Sequence, residues 1–240
     1  MRGYNVTPYR QCSQCIMDTN DDPFIKFNDK GICNHCTTYV QEEKQLVKSG
    51  QEGERELQSI IDKIKADGKD KKYDCVLGIS GGVDSSYLAY VAKEWGIRPL
   101  GVHCDNGWNS ELAVQNIQSI VRTLDMDLDT YVINWEEFRD IQLAYLQANV
   151  IDIEAITDLA FRAVLKKTAH KYKVKYFLSG DNVVTESVLP RAWICKDTSN
   201  LLSIHEKYGS VPLKTYPLMT PLKELYYDKT NPTESLALLN

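Results

Sequence analysis

The sequence predicts an α/β fold in which a parallel β-sheet carries helices on both faces, preceded by an N-terminal knuckle of four cysteines. Short apolar segments alternate with amphipathic helical patterns from residue 74 to residue 180, which is the order expected of a parallel sheet wrapped by helices. Polar loops that contain glycine follow three of the apolar segments. The four cysteines form two Cys-x-x-Cys pairs before residue 37. These three observations define the fold class.

The chain is predicted to contain four parts in sequence. They are a metal-binding knuckle (1–40), a helical linker (41–72), an α/β domain (73–220) and a C-terminal tail (221–240). Between Tyr9 and Tyr39 turns dominate and helical periodicity is weak. The linker places Leu57, Ile60, Ile61 and Ile64 on one face of a helix. The tail "YYDKTNPTESLALLN" has lost the alternation, so we expect no strand in it.

Within the α/β domain, strands and helices follow each other in order. The predicted strands are "DCVLGIS" (74–80), "RPLGVHC" (98–104), "LDTYVI" (128–133) and "VKYFLSG" (174–180). The first intervening helix is marked by Leu88, Val91, Ala92 and Trp95, and the second by Ala113, Ile117, Ile120, Val121 and Leu124. Two helices, around 135–148 and 157–172, precede the fourth strand. Because such sheets bind ligands at the carboxyl ends of their strands, the loops at 80–82, 104–107 and 179–182 predict one site.

The composition of the chain argues against some classes of function, namely membrane proteins, secreted proteins and nucleic-acid binders. The chain has 240 residues, 43% of them hydrophobic and 25% charged, with a formal net charge of −5. No apolar run reaches the roughly 18 residues that cross a bilayer, and the N-terminus lacks the apolar core of a secretory signal. We therefore expect a cytoplasmic location and no membrane partner. The absence of a dense basic run disfavours a nucleic-acid partner.

The four clustered cysteines predict a zinc site. Cys12 and Cys15 pair with Cys33 and Cys36 at the spacing of a four-cysteine site, and "FIKFNDKGIC" between the pairs can fold back as a hairpin. Four protein ligands leave no open position on the metal, so the predicted zinc is structural. Four buried free thiols remain the alternative interpretation. His35 lies between two ligands and is expected to be a bystander.

The segment "GISGGVDSSYLAYV" (78–91) predicts an anion-binding loop. Ser80, Gly81 and Gly82 can expose successive backbone N–H groups at the start of a helix. Ser85 and Ser86 can add hydroxyl donors. The segment lacks the lysine of the P-loop NTPase motif and the glycine spacing of the dinucleotide-binding fingerprint. It instead places an aspartate, Asp84, where phosphates would bind.

The run Ser-Gly-Gly-Val-Asp-Ser after a strand resembles the PP-loop of the N-type ATP pyrophosphatases, which have the adenine-nucleotide alpha hydrolase-like fold. The resemblance implies that ATP is cleaved between its α and β phosphates. It implies that pyrophosphate is bound by Ser80, Gly81, Gly82, Val83, Asp84, Ser85 and Ser86. It also implies that Asp84 helps to hold Mg²⁺, because a carboxylate beside phosphates is tolerated only where a metal ion reverses the local charge. A glycine turn between strand and helix is the alternative.

Further segments of the sequence resemble one particular family within this superfamily. The cysteine region, the PP-loop, "DNGWNSELAVQNI", "WEEFRDIQLAYLQANV" and "LSGDNVVTESVLP" resemble the N-acetyl sugar amidotransferases of bacterial surface polysaccharide (lipopolysaccharide O-antigen) and pseudaminic acid biosynthesis, over about residues 10–220. The resemblance implies a ligase that converts the acetamido group of a nucleotide-linked sugar to an acetamidino group. Ammonia would come from a separate glutaminase subunit, which a cyclase-like subunit can accompany. Family members continue well beyond Pro221, so the tail is expected to be truncated.

By the same resemblance, further residues receive expected roles. Asp84, Ser80 and Asp181 would be catalytic. Asp105, Asn106 and Gly107 would lie near the nucleoside, and Gly180, Asp181 and Asn182 beside the α-phosphate. Thr185 and Glu186 would continue that loop, and Asp158 would face the cleft. For Asp105, Asp181 and Asp158 a turn or helix-capping role is the alternative, because aspartate favours both positions.

Two other functions remain open. A PP-loop enzyme of tRNA 2-thiolation would need a reactive cysteine, for which Cys104 and Cys195 are the candidates. The alternative is that both cysteines are small, buried, apolar residues without a reactive role. A non-catalytic, zinc-containing scaffold of a glutaminase complex is the second alternative, and the intact loop speaks against it.

Overall fold

The computed structural model describes residues 8–182, 184, 188–190, 193 and 196–238, so Thr185, Glu186 and Cys195 lie outside the described residues. The chain divides into two compact units. The smaller unit comprises Met1–Gly53, Asn182–Ile194 and Asn240, and the larger comprises Glu54–Asp181 and Cys195–Leu239. The larger unit contains the sheet.

The described part of the chain forms eight α-helices and five β-strands. The helices are α1 (Asn34–Leu46), α2 (Gly50–Gly68), α3 (Val83–Glu94), α4 (Glu111–Thr123), α5 (Trp135–Ala148), α6 (Ala155–Tyr172), α7 (Thr198–Tyr208) and α8 (Pro221–Thr230). The strands are β1 (Cys75–Gly78), β2 (Pro99–Asp105), β3 (Leu128–Val132), β4 (Tyr176–Ser179) and β5 (Glu234–Ala237). Among the described residues, no helix combines the length and apolarity needed to cross a membrane.

The sheet has the order β3-β2-β1-β4-β5, and each neighbouring pair is parallel. After β1 the chain adds β2 and β3 on one side, and then returns to place β4 and β5 on the other. The strand order therefore reverses between β1 and β4. In open α/β sheets this switch point, at the carboxyl ends of the strands, is where ligands bind. The predicted fold class is confirmed.

Both faces of the sheet are buried, which explains the near-continuous apolar character of β1. On one face Leu77 and Ile79 pack with Leu88 of α3 and Ile117 of α4. On the other face Val76 and its neighbours in β2 pack against α6. Successive side chains of a strand point to opposite faces, so alternate residues of β1 belong to different cores.

The prediction for the C-terminal tail was wrong. The segment contains α8, capped by Thr220 with Pro221 in its first turn, and then strand β5, which pairs with β4 from Tyr176↔Glu234 to Ser179↔Ala237. A short edge strand needs only one partner and few buried side chains. The sequence of β5 is half polar and exposed, and therefore lacks the apolar run that marks β1.

The N-terminal region also differs from its prediction. Helix α1 begins at Asn34, inside the segment for which the sequence showed little helical periodicity. The sulfur of Cys33 accepts a hydrogen bond from the backbone N–H of Cys36 and caps this helix. The start of α1 is thus set by the cysteine cluster rather than by an apolar stripe.

Two buried carboxylates of α5 hold the segment that follows α7. The Asp140 carboxylate accepts hydrogen bonds from the backbone N–H groups of Ser210 and Val211, at 2.9 and 3.1 Å, and from His205 Nε2 at 3.0 Å. Glu137 accepts from the backbone N–H of Tyr216 at 2.7 Å. Burial opposes the ionisation of Asp140, but the hydrogen bonds from Ser210, Val211 and His205 outweigh it and lower its pKa to about 2. The carboxylate is therefore ionised over the normal pH range.

Asp140→Asn should lower the free energy of unfolding by roughly 2–4 kcal/mol at pH 7, because an amide group cannot accept every bond the carboxylate accepts. The pKa of Asp140 is lower in the folded than in the unfolded chain. Its contribution is therefore complete above about pH 5 and is lost as the pH falls toward 2.

Urea titrations of the wild type and the variant, repeated from pH 7 to pH 2, measure this difference. The exposed Glu136→Gln on the same helix is the matched control and should change the stability by less than about 0.5 kcal/mol. A difference between wild type and Asp140→Asn that stays constant down to pH 2 would contradict the assignment.

Candidate active site

Three loops of the larger unit lie at the carboxyl edge of the sheet. Residues 80–82 follow β1, residues 106–107 follow β2, and residues 180–181 follow β4. The structure thus brings together the loops that the sequence predicted as one site. Asn182 belongs to the smaller unit, where its side-chain oxygen accepts a hydrogen bond from the Val184 backbone N–H at 2.9 Å.

The first loop requires a glycine at position 81. Gly81 has φ +80°, and a β-carbon there would lie 2.4 Å from the carbonyl oxygen of Ala113 in α4. From the same helix, Asn116 Nδ2 donates a hydrogen bond to the Gly81 carbonyl oxygen at 3.0 Å. Helix α4 therefore fixes the path of the loop, and any side chain at position 81 would force the two apart.

The serine hydroxyls stabilise the loop itself. Ser80 Oγ accepts a hydrogen bond from the Gly82 backbone N–H at 3.2 Å and lies 3.1 Å from Ser85 Oγ. The Ser86 hydroxyl donates to the Gly82 carbonyl oxygen at 2.5 Å. Gly82 is the N-cap of α3 and supplies no side-chain cap. The first turn of α3 therefore presents uncapped backbone N–H groups, which suit an anion.

A second close approach brings the β4 loop to the first turn of α3. A β-carbon at Gly180 would lie 3.2 Å from the Ser85 backbone nitrogen and 3.3 Å from Asp84 Cβ. Asp181 follows directly, with an exposed side chain, and Asp84 and Val83 are also exposed. Mg²⁺ prefers a few carboxylates together with phosphate oxygens. Two exposed carboxylates beside an anion-binding helix start fit such an ion.

The loop after β2 is held by its own side chains. Asp105 Oδ1 accepts hydrogen bonds from the Gly107 backbone N–H at 2.9 Å and from Asn109 Nδ2 at 2.8 Å. The Asn106 side chain donates to Thr157 Oγ1 at 3.3 Å. Asp105 is thus engaged as a turn residue, which agrees with the alternative role that its residue type allowed.

His103 and Asn109 link the first two loops, and the sequence gave no motif for either. His103 lies buried in β2, and its Nδ1–H donates to the Ile79 carbonyl oxygen at 2.8 Å. Asn109 Nδ2 lies 3.2 Å from His103 Nε2 and donates to Asp105 as well. This chain of hydrogen bonds couples the end of β1 to the loop after β2. These residues are distant in the sequence, and they meet because β1 and β2 lie side by side in the sheet.

Lys196 is a third site residue that the sequence did not reveal. Its Nζ lies 2.8 Å from Asp158 Oδ2. The hydrogen bond to Asp158, with the charges of Asp152 and Asp181, raises the pKa of this lysine. Asp158 is therefore ion-paired. Because the negative charge of Asp181 contributes to this shift, the ammonium group of Lys196 lies close to the β4 loop.

Cys104 has little nucleophilic character. Its thiol is partly buried at the end of β2. Burial, together with the charge of Asp105, raises the pKa of the Cys104 thiol to about 12. The thiolate, which is the reactive form, is therefore scarce at neutral pH.

In the smaller unit the four predicted cysteines converge. Their sulfur atoms all lie within 4.8 Å of one another, with Cys12 and Cys36 at 3.9 Å and Cys15 and Cys33 at 3.7 Å. Zn–S bonds of about 2.3 Å in a tetrahedron set neighbouring sulfurs about 3.8 Å apart, so the spacing fits zinc.

Electrostatics at the cluster also favour a cation. Burial opposes ionisation of Cys12, but hydrogen bonds from the backbone N–H groups of Gln14 and Cys33 outweigh it and lower its pKa to about 6. Burial raises the pKa of Cys36. Four thiolates this close would repel one another without a metal. His35 bonds Asp22 at 2.8 Å and stands outside the ligand set.

The chain is similar to proteins of one known family. The NAD synthase family model matches residues 54–174, which include most of α2, all of α3 to α6, strands β1 to β3 and the glycine-rich loop. No curated protein matches the chain. Solved structures with similar folds include an NH3-dependent NAD synthetase from Campylobacter jejuni, with 15% identity and a TM-score of 0.39, covering 53% of this chain and 56% of that one.

Two further solved structures resemble the chain. One is an NMN synthetase from Francisella tularensis, with 17% identity and a TM-score of 0.43, covering 80% of this chain and 90% of that one. The other is a glutamine-dependent NAD+ synthetase from Acinetobacter baumannii, with 16% identity and a TM-score of 0.46. The match covers 68% of this chain and 35% of that one. The chain spans only about half of the Campylobacter protein. The assignment therefore depends on the family model, which matches half of this chain, and the chain belongs to the NAD synthase family.

Proposed function

We propose that this protein is an ATP-dependent ligase that adenylates the N-acetyl group of a nucleotide-linked sugar and forms a C–N bond with ammonia. The observation that carries the ATP chemistry is the uncapped first turn of α3, next to the exposed carboxylates of Asp84 and Asp181. It lies at the switch point of a parallel sheet, where nucleotides bind in such folds. The acceptor is inferred from the segments that resemble N-acetyl sugar amidotransferases.

In this proposal the loop binds the pyrophosphate leaving group. The backbone N–H group at Gly81 and those in the first turn of α3 donate to its oxygens, and Lys196 adds a positive charge from the side of the β4 loop. Asp84, with Asp181 beside it, would hold Mg²⁺. The ion would neutralise charge on the phosphates as the bond between them breaks. Asp105, Asn106 and Gly107 would border the nucleoside, and Gly180 would lie beside the α-phosphate.

The proposed reaction has two steps. The acetamido oxygen attacks the α-phosphorus of ATP, pyrophosphate leaves, and an O-adenylyl imidate forms. Ammonia then attacks the activated carbon, AMP leaves with the former amide oxygen, and an acetamidino group remains. Positioning and charge stabilisation suffice for both steps, so no covalent protein nucleophile is needed. Ammonia would be supplied by a separate glutaminase subunit, with a cyclase-like subunit as an additional partner.

The two alternatives have less support. A thiolation enzyme would use a reactive cysteine, and the raised pKa of Cys104 disfavours it. A scaffold subunit would not need a glycine at position 81, where a β-carbon would clash, a tight contact at Gly180, or exposed carboxylates beside them.

We further propose that the four cysteines bind one structural zinc ion. The ion would hold the hairpin and the start of α1 together, because the core of the smaller unit consists largely of these cysteines and a few apolar neighbours. With four protein ligands the metal would have no open position for substrate.

With ATP, ammonium and a UDP-linked N-acetyl sugar, the purified protein should release AMP and pyrophosphate. Asp84→Asn should lower the rate roughly 100-fold or more, because charge stabilisation of the leaving group would be lost. Chromatography of α-labelled nucleotide distinguishes AMP from ADP. Glu94→Gln, at the opposite end of α3, is the matched control and should retain full activity.

Release of ADP and phosphate would refute the PP-loop chemistry. Full activity of Asp84→Asn would refute its metal role. If AMP forms only when the nicotinic acid analogue of NAD replaces the sugar, the ligase chemistry stands but the proposed acceptor is wrong.

Cys104→Ser should retain at least about half of the activity, because a thiol with a pKa near 12 is protonated and takes no part in the proposed steps. The same turnover assay measures it. A loss as large as that of Asp84→Asn would favour the thiolation alternative.

The purified protein should contain one zinc ion per chain, measured by plasma mass spectrometry. Cys33→Ser should lose the zinc and destabilise the smaller unit, since structural zinc contributes directly to folding. The matched control Cys104→Ser should keep it. Wild-type protein that holds no zinc after zinc-supplemented expression and unfolds at the same temperature as Cys33→Ser would exclude the metal site.

A further inference from the structure

A mostly apolar pocket of about 320 Å³ lies between the loop after β2 and helix α5. Its lining consists of Trp108, Trp135, Arg139, Gln142, Leu143, Leu146 and Ile153. The volume is near the lower end of the roughly 300–1,000 Å³ typical of small-molecule sites. Neither the ATP site nor the zinc cluster uses these residues.

The pocket is continuous with the active-site edge. A β-carbon at Gly107 would lie 2.9 Å from the ring of Trp135, so the loop after β2 packs its backbone directly onto this indole. Trp108 follows in the same loop and contacts Trp135 edge to face, with ring centroids 5.6 Å apart. The pocket is therefore built on the loop that would border the nucleoside.

Two polar side chains of the pocket, Gln142 and Arg139, have hydrogen-bond donors available. Trp108 Nε1 donates to Gln142 Oε1 at 3.0 Å. An indole nitrogen can only donate, so the amide NH₂ of Gln142 is left to donate elsewhere. Arg139 is exposed, and within the described residues it has no hydrogen bond or ion pair. No carboxylate lines the pocket.

We propose that this pocket binds the nucleotide part of the acceptor, with the base against the indoles and a phosphate on Arg139. The inference rests on the proposed function and specifies where the acceptor is held. Indole faces stack on planar rings, and a free guanidinium suits phosphate. A pocket whose available side-chain groups are chiefly donors matches a base with carbonyl acceptors, such as uracil, better than adenine with its amino group. The nucleotide part of the acceptor would thus bind in a pocket of its own, apart from the ATP site.

The charge and hydrogen-bond pattern favour this occupant over a second copy of the chain. An apolar protein surface would leave Arg139 and the Gln142 amide without acceptors, and such buried groups weaken binding. A nucleoside phosphate satisfies both while covering the two rings.

Calorimetric titration of the full chain with UDP tests the assignment. The ATP site is first saturated with the α,β-methylene analogue of ATP, which cannot be cleaved at that bond. UDP should bind saturably, and Trp108→Ala and Arg139→Ala should each weaken binding about tenfold or more. Both side chains are exposed, so the folded state should tolerate their removal. Arg122→Ala, an exposed arginine on α4, is the matched control and should bind UDP like the wild type.

Three results would overturn the inference. They are the absence of saturable UDP binding, competition by inorganic pyrophosphate that equals that of UDP, and a loss of affinity in Arg122→Ala as large as that in Arg139→Ala. Sedimentation velocity adds a fourth: a dimer that Trp108→Ala dissociates would show that a second copy covers the pocket.

Turnover measurements separate this inference from the proposed function. With the sugar nucleotide as substrate, Arg139→Ala should raise KM about tenfold and leave kcat nearly unchanged, because the nucleotide handle is remote from the reacting amide. Release of AMP and pyrophosphate without UDP binding would refute the pocket alone. UDP binding together with release of ADP would refute the proposed reaction alone.

Discussion

The close approach of backbone at two glycines is the constraint on which the candidate site depends. Gly81 lies against α4, and Gly180 lies against the first turn of α3, each with too little room for an unstrained β-carbon. The first contact sets the path of the glycine-rich loop after β1, and the second brings the β4 loop to the start of α3. The loop that carries Asp181 and the helix start that carries Asp84 are neighbours because of the second approach. The site is therefore a consequence of packing between neighbouring elements.

The α5 region adds a second layer of support. Glu137 and Asp140 are buried carboxylates that bind backbone N–H groups of the segment after α7 and so anchor it to the helix. The same helix presents Trp135 and Arg139 to the pocket beside the β2 loop. One side of α5 thus serves stability, while another side is left free for a ligand. Hydrogen bonds to ionised groups are among the stronger ones in proteins, which explains why the helix can be held firmly here.

Much of the architecture was predictable because it depends on local patterns. Strands β1 to β4 and helices α3 to α6 appear where apolar runs and helical spacing predicted them. The cysteine spacing predicted a convergence that the structure confirms. Strand β5 was missed because an exposed edge strand carries little apolar signal, and its pairing with β4 is decided by the sheet rather than by its own residues. The start of α1 was missed because Cys33 caps it as part of the cluster.

The sequence by itself determined the α/β class, the glycine-rich loop at the start of α3 and the four-cysteine cluster. Each depends on residue types at fixed short spacings, and the physics of turns, helix starts and metal ligands acts over the same range. Only the tertiary structure decided that Lys196 pairs with Asp158, that His103 and Asn109 couple two loops, and that Trp108, Trp135 and Arg139 line one pocket. These groups are brought together by the parallel order of the strands. No local pattern records which distant residues that order will place side by side.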